Sequence, residues 1–80
     1  MSQKVKEQNF TIMIEQDKVE NNFAAYIPAL RLGAVGDTLD EVRENARDLL
    51  LMEIETLRKN GKVLPEENCI VETLKIELPE

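Results

Sequence analysis

The sequence predicts an α+β domain with its elements in the order β-β-β-α-β. Three observations predict it. Residues 10–35 alternate apolar and polar side chains between turn formers, residues 38–61 follow a helical period with a signal at each end, and residues 69–78 return to alternation. A long helix that leaves the third strand and delivers the fourth must cross one face of the sheet, so the expected architecture is a single helix on a single sheet.

Residues 1–8 are polar and expected to be frayed, with Val5 as the one candidate for an early strand contact. The first strand begins near Phe10: Phe10, Ile12 and Ile14 alternate with Thr11, Met13 and Glu15, which separates an apolar face from a mixed one. Residues 16–22 read as a turn, because Asn21 and Asn22 tolerate a positive φ better than any residue except glycine. The second strand, 23–27, places Phe23, Ala25 and Ile27 on one side and Ala24 and Tyr26 on the other. Pro28 ends it, having no amide hydrogen for the ladder. In residues 30–35, Leu30, Leu32 and Ala34 alternate with Arg31, Gly33 and Val35; Gly33 suggests a bulge or an edge position.

The helix is the best-signalled element. Thr38 is placed as N-cap and Glu41, three residues on, as its capping-box partner. Asp37, Asp40 and Glu41 set negative charge at the positive end of the helix dipole, and Arg58 and Lys59 set positive charge at the other. Asn60 and Gly61 close it, and Pro65 prevents any resumption. At about 100° per residue, Leu39, Val42, Ala46, Leu49, Leu50, Ile54 and Leu57 form one stripe, the expected core face. In the last strand Ile70, Leu74, Ile76 and Leu78 share a face with Glu72, while Val71, Thr73, Lys75 and Glu77 share the other.

Composition narrows the function. With 42% hydrophobic and 32% charged residues, the 80-residue chain is an ordinary globular domain, read as one unit over residues 1–80. A core this small often gains stability from a second copy, so a homodimer or a higher even-numbered oligomer is expected. No apolar run approaches a membrane span and the polar start carries no export signal, which predicts a cytoplasmic protein. Ten basic against sixteen acidic residues give a net charge of −6, which disfavours nucleic acid and favours a basic protein partner. The chain has no histidine, one serine and one cysteine, Cys69, so triads, zinc sites and an internal disulfide are excluded, and Cys69 reads as a small packed thiol. No catalytic, metal or cofactor residues are assigned.

Several pieces, taken together, resemble the toxin-binding domain of the HicB-type antitoxin family. They are FTIMIEQD followed by a turn and FAAYIP, then Pro28 and Leu30 leading into GDTLDEVRENARDLL, the helix exit NGKVLP, and a closing alternating strand. The resemblance covers residues 10–78. It departs from the family's pattern at Leu30, Arg31, Leu32 and Gly33, where a Leu-Pro-Gly-Cys type of corner is usual, and at Asn21 and Asn22, which replace glycines. What it implies is a truncated ribonuclease H-like sheet, with three antiparallel strands, a crossover helix, and a fourth strand beside and parallel to the first. It further implies a non-enzymatic protein that neutralises a small basic HicA-type messenger-RNA-cleaving toxin. Full-length antitoxins often append a DNA-binding module, and with this sequence ending at Glu80 no direct operator binding is expected.

The ribonuclease H likeness draws attention to Glu15, Asp17, Glu53 and Glu72 as conceivable ligands of catalytic metal ions. Sixteen acidic residues in eighty, however, put several carboxylates near any sheet by chance. Glu53 falls inside the apolar stripe, which is explained either by the helix overrunning the sheet or by a functional acid. Leu51 and Met52 flank the polar face, pointing to contact with another subunit or to cover by the N-terminal arm or the loop after Gly61. Glu41, Glu44, Asp48 and Glu55 make either a solvated face or an acidic docking surface for a basic toxin, and Tyr26 is either a packing residue or an exposed contact.

Overall fold

The computed structural model describes residues 7–80; Val5 lies outside them. Strands β1 (Met13–Asp17), β2 (Asn22–Ile27) and β3 (Leu32–Gly36) form an antiparallel sheet in the order β1-β2-β3, followed by helix α1 (Leu39–Lys59). Register runs from Met13 opposite Tyr26 to Asp17 opposite Asn22, and from Phe23 opposite Gly36 to Ile27 opposite Leu32.

Both hairpins close through four-residue loops whose last residue is left-handed. In the first, the Asp17 carboxylate accepts from the amides of Val19 and Glu20 at 3.0 and 3.1 Å, and Asn21 takes φ 55°. In the second, the Leu30 and Arg31 amides both donate to the Ile27 carbonyl and Arg31 takes φ 55°. The third strand therefore starts at Leu32 rather than Leu30. An arginine carries no local signal for a positive φ, so the sequence places this boundary too early.

Helix α1 starts and stops where its end signals place it, but of the expected capping box only the Thr38 half is formed, with no bond from the Thr38 amide to the Glu41 carboxylate among the described residues. Thr38 is extended and its hydroxyl accepts from the Glu41 amide at 3.0 Å. At the other end Gly61 sits at φ 64°, its amide donating to the Arg58 carbonyl while that of Lys62 donates to Leu57, the paired bonds of a Schellman motif. Replacing Thr38 with alanine removes the cap bond and is expected to cost about 1 kcal/mol, lowering the melting temperature by roughly 4–8 °C in a domain of this size. An unchanged melt would show that water satisfies the Glu41 amide equally well.

The helix packs on β3 and β2 and makes no close backbone approach to β1. Ala25, Ile27, Val42 and Ala46 are buried, and Ile12, Ile14, Phe23, Leu30, Ala34, Leu49 and Leu50 pack around them. Two of the four buried side chains are alanines, which lets helix and sheet approach closely over a thin core. Twenty-one residues make α1 about 31 Å long, whereas the five- and six-residue strands reach only about 17–20 Å. The second half of the helix consequently overhangs. Ile54 and Leu57 are only half-buried, and so is Glu53, which accounts for a carboxylate within the stripe.

The expected fourth strand is not formed among the described residues, and with it the ribonuclease H-like arrangement of a strand parallel to β1 is not seen there. Residues 62–80 have no regular secondary structure, and Ile70, Leu74, Ile76 and Leu78 are 67–81% exposed. The physical reason lies just upstream. The Gln8 side chain donates to the Pro65 carbonyl at 3.1 Å and the Thr11 amide donates to the Glu67 carboxylate, so residues 65–67 pass the N-terminal approach to β1. Cys69 then lies by Pro28, Ala29 and Arg31 of the second hairpin loop. The chain leaves past the end of the sheet instead of turning along its edge.

Candidate functional site

With one core layer, the molecule offers two opposite outer surfaces. Glu41, Glu44, Asp48 and Glu55 recur at intervals of three, four and seven residues, which places them on one side of α1. All four are exposed. Lys59 pairs with Glu55 at 3.3 Å, and Arg43 pairs with Asp40 at 3.5 Å, outside this set. Glu41, Glu44 and Asp48 make no ion pair among the described residues, so their charge faces solvent unneutralised. Only the Glu41 backbone has a second task, as the donor to the Thr38 cap.

Tyr26 is on the other surface. It alternates in β2 with the buried Ala25 and Ile27, so it projects from the sheet face away from α1, where it is 43% exposed. The acidic helix stripe and Tyr26 therefore belong to opposite sides of the two-layer fold and cannot meet one flat partner surface together. Around Tyr26 lie Met13, its cross-strand partner, with Ala24 and the 64%-exposed Val35. The alternation of the strands puts these residues opposite the core. That the face stays uncovered and largely apolar follows only from a fold with one helix.

Leu51 and Met52 are each 56% exposed, so neither the described N-terminal residues nor the loop after Gly61 covers them. Leu51 borders a groove beside the overhanging half of α1, lined by Phe10, Leu50, Ile54 and Leu64 and flanked by Arg47 and Arg58. Sequence reasoning identified Leu51 but missed the groove, because its other wall comes from the segment preceding β1.

The four carboxylates prompted by the ribonuclease H likeness do not converge. Glu15 and Asp17 are exposed on β1, Glu53 is half-buried in α1, and Glu72 is exposed on the unpaired segment. Among the described residues no group of three or more His, Cys, Asp or Glu side chains is arranged to hold a metal ion. None of the described helices is long and apolar enough to cross a membrane.

The chain is similar to a UPF0150 protein of the cyanobacterium Synechocystis sp., with 29% identity over 69 residues that span 85% of this chain and 86% of that protein. No family model and no solved structure matches. The likeness extends across the sheet, the helix and the segment beyond it, so the two proteins are alike as whole small domains rather than through one shared motif.

Proposed function

We propose that the protein is a non-enzymatic, cytoplasmic HicB-like antitoxin that binds a small basic HicA-type toxin and blocks its messenger-RNA-cleaving surface. The observation that carries this reading is the near end-to-end similarity to a UPF0150 protein, since UPF0150 is a HicB-like family. The exposed stripe of Glu41, Glu44, Asp48 and Glu55 on a chain of net charge −6 is the surface proposed to meet the toxin. Tyr26, on the opposite face, then belongs to a separate contact. Neither nucleic acid nor membrane enters this reading.

Co-expression with a small basic protein encoded beside this chain tests it: growth is rescued and the two proteins co-purify. The double charge reversal Glu44→Lys, Asp48→Lys should slow association roughly tenfold at low salt, with the difference shrinking as salt rises. Rescue unaffected by the reversal would move the toxin contact off the helix. Absence of any such neighbouring protein would favour the second reading, an orphan HicB-like domain acting as a structural or regulatory oligomer. That reading draws on the exposure of Leu51 and Met52, which on either account are proposed to touch a second subunit. In the same assays Leu51→Lys, Met52→Lys should weaken self-association while leaving the helical signal intact.

A further inference from the structure

The molecule is far from compact for its size. Its accessible surface is 7442 Å², against about 4,900 Å² for a folded monomer of its mass, and its radius of gyration is 16.3 Å, against about 11.6 Å for 80 residues. One dimension reaches 65 Å while the others are 27 and 23 Å. Residues 69–78 add to that surface, ten residues whose strand-like alternation leaves Ile70, Leu74, Ile76 and Leu78 in water. Fully extended, that stretch reaches about 33 Å, longer than either short dimension of the molecule.

The same chain also carries an unfilled acceptor. Among the described residues, strand β1 is a sheet edge with no strand on its outer side. Ahead of it, along the segment that leads into β1, lies the groove formed by Phe10, Leu50, Leu51, Ile54 and Leu64 against the second half of α1. The other edge is less available, because the Asn45 side chain already donates to the Val35 carbonyl of β3 at 2.7 Å.

We propose that residues 69–78 are an exchanged strand: in a dimer of this chain, each copy lays this segment along the β1 edge of the other. The apolar face of Ile70, Leu74, Ile76 and Leu78 enters the groove of the second copy, and Glu72 on the same face meets Arg47 or Arg58 at its rim. Lys75, on the outer face, comes to the side of the sheet that carries Glu15. The four-stranded sheet expected from the sequence is then completed between subunits. This inference is independent of the toxin reading.

The occupant is a second copy rather than the chain's own tail or a foreign protein for three reasons. Beyond the bonds from Gln8 to Pro65 and from Thr11 to Glu67, Cys69 already lies by Pro28, Ala29 and Arg31 of the second hairpin loop, so reaching the chain's own β1 edge requires it to double back after residue 69. No glycine occurs after Gly61 to make that reversal, and residues 69–78 contain no proline, asparagine, aspartate or serine either. Finally, donor and acceptor occur once each per chain, so one twofold dimer satisfies both strands and both edges at once. A foreign partner would leave one of the two unfilled.

Light scattering at tens of micromolar should give twice the 9.2 kDa mass of the chain. In a Cys69→Ser background, chains that carry Thr73→Cys together with Met13→Cys, Glu15→Cys or Asp17→Cys are mixed from isotopically labelled and unlabelled preparations, and their disulfides should join labelled to unlabelled copies. A monomeric mass overturns the proposal in favour of a foreign partner. A disulfide only within one copy overturns it in favour of a tail folded back on its own sheet, and a dimer that traps none of these pairs places its contact elsewhere. Leu74→Asp, Ile76→Asp should yield a monomer with its helical signal retained. If that variant fails to fold, the cross-linking result still decides.

Discussion

Replacing Ile27 with alanine is expected to destabilise the protein by about 2–5 kcal/mol, the largest effect of any single conservative truncation in the chain. Ile27 and Val42 are the two largest side chains with no exposed surface, and both belong to the one buried cluster between the sheet and α1. The other buried residues are Ala25 and Ala46, which have no methylene groups to fill the space left behind. A domain of 80 residues has a total stability of roughly 4–12 kcal/mol, so this loss is a large share of it. Urea unfolding at fixed protein concentration measures it, the concentration being held constant because self-association would add to the apparent stability. As a control, Val35→Ala on the open sheet face should stay within about 0.5 kcal/mol. Equal effects of the two substitutions would mean that the Ile27 site collapses freely and that the core is not packed as described.

Gly36→Ala should come next, at roughly 1–3 kcal/mol, and for a different reason. Gly36 is buried at the end of β3, and a Cβ there would stand 2.6 Å from the Val42 amide nitrogen, 2.9 Å from the Val42 Cα and 3.0 Å from the Glu41 carbonyl carbon. All three are backbone atoms of the first helical turns, so no side chain can rotate aside. Relief requires α1 to lift from the sheet, which also loosens the packing of Val42. Gly61→Ala separates this steric cause from a conformational one. Gly61 has open space around its Cβ position but a φ of 64°, so alanine there should cost only about 1 kcal/mol. Amide chemical shifts supply a second reading: Gly36→Ala should perturb residues across β2 and β3, and Gly61→Ala only the helix end. A neutral Gly36→Ala would contradict the close approach of helix and sheet.

The candidate surfaces were legible in part. The spacing of Glu41, Glu44, Asp48 and Glu55 places them on one helix face without reference to any tertiary contact, and the structure finds them there, exposed. Tyr26 was legible as lying on the opposite side of β2 from Phe23, Ala25 and Ile27, as either a packing residue or an exposed contact, but not as a member of a surface separate from the acidic stripe. That separation depends on which sheet face α1 covers, and the periodicity of β2 reads the same for either choice. The groove beside Leu51 was hidden for a related reason, since Phe10 and Leu64 reach it from segments more than fifty residues apart in sequence.

By itself the sequence determined the features whose causes lie within a few residues of one another. The Thr38 cap and the Gly61 exit fix α1 through bonds between neighbours. The turn at Asn21 and the stop at Pro28 follow from single-residue backbone preferences. Alternation alone grouped Ile12 with Ile14 on the apolar face of the first strand and Phe23, Ala25 and Ile27 on one side of the second, the faces that the structure turns to the core. Tertiary structure decided what depends on distant partners: that α1 is longer than the sheet it covers, that Arg31 takes a left-handed turn, and that residues 69–78 find no edge within the described chain. An alternating segment states which of its faces is apolar. It does not state where its hydrogen bonds go, because a strand, unlike a helix, has no partner within itself.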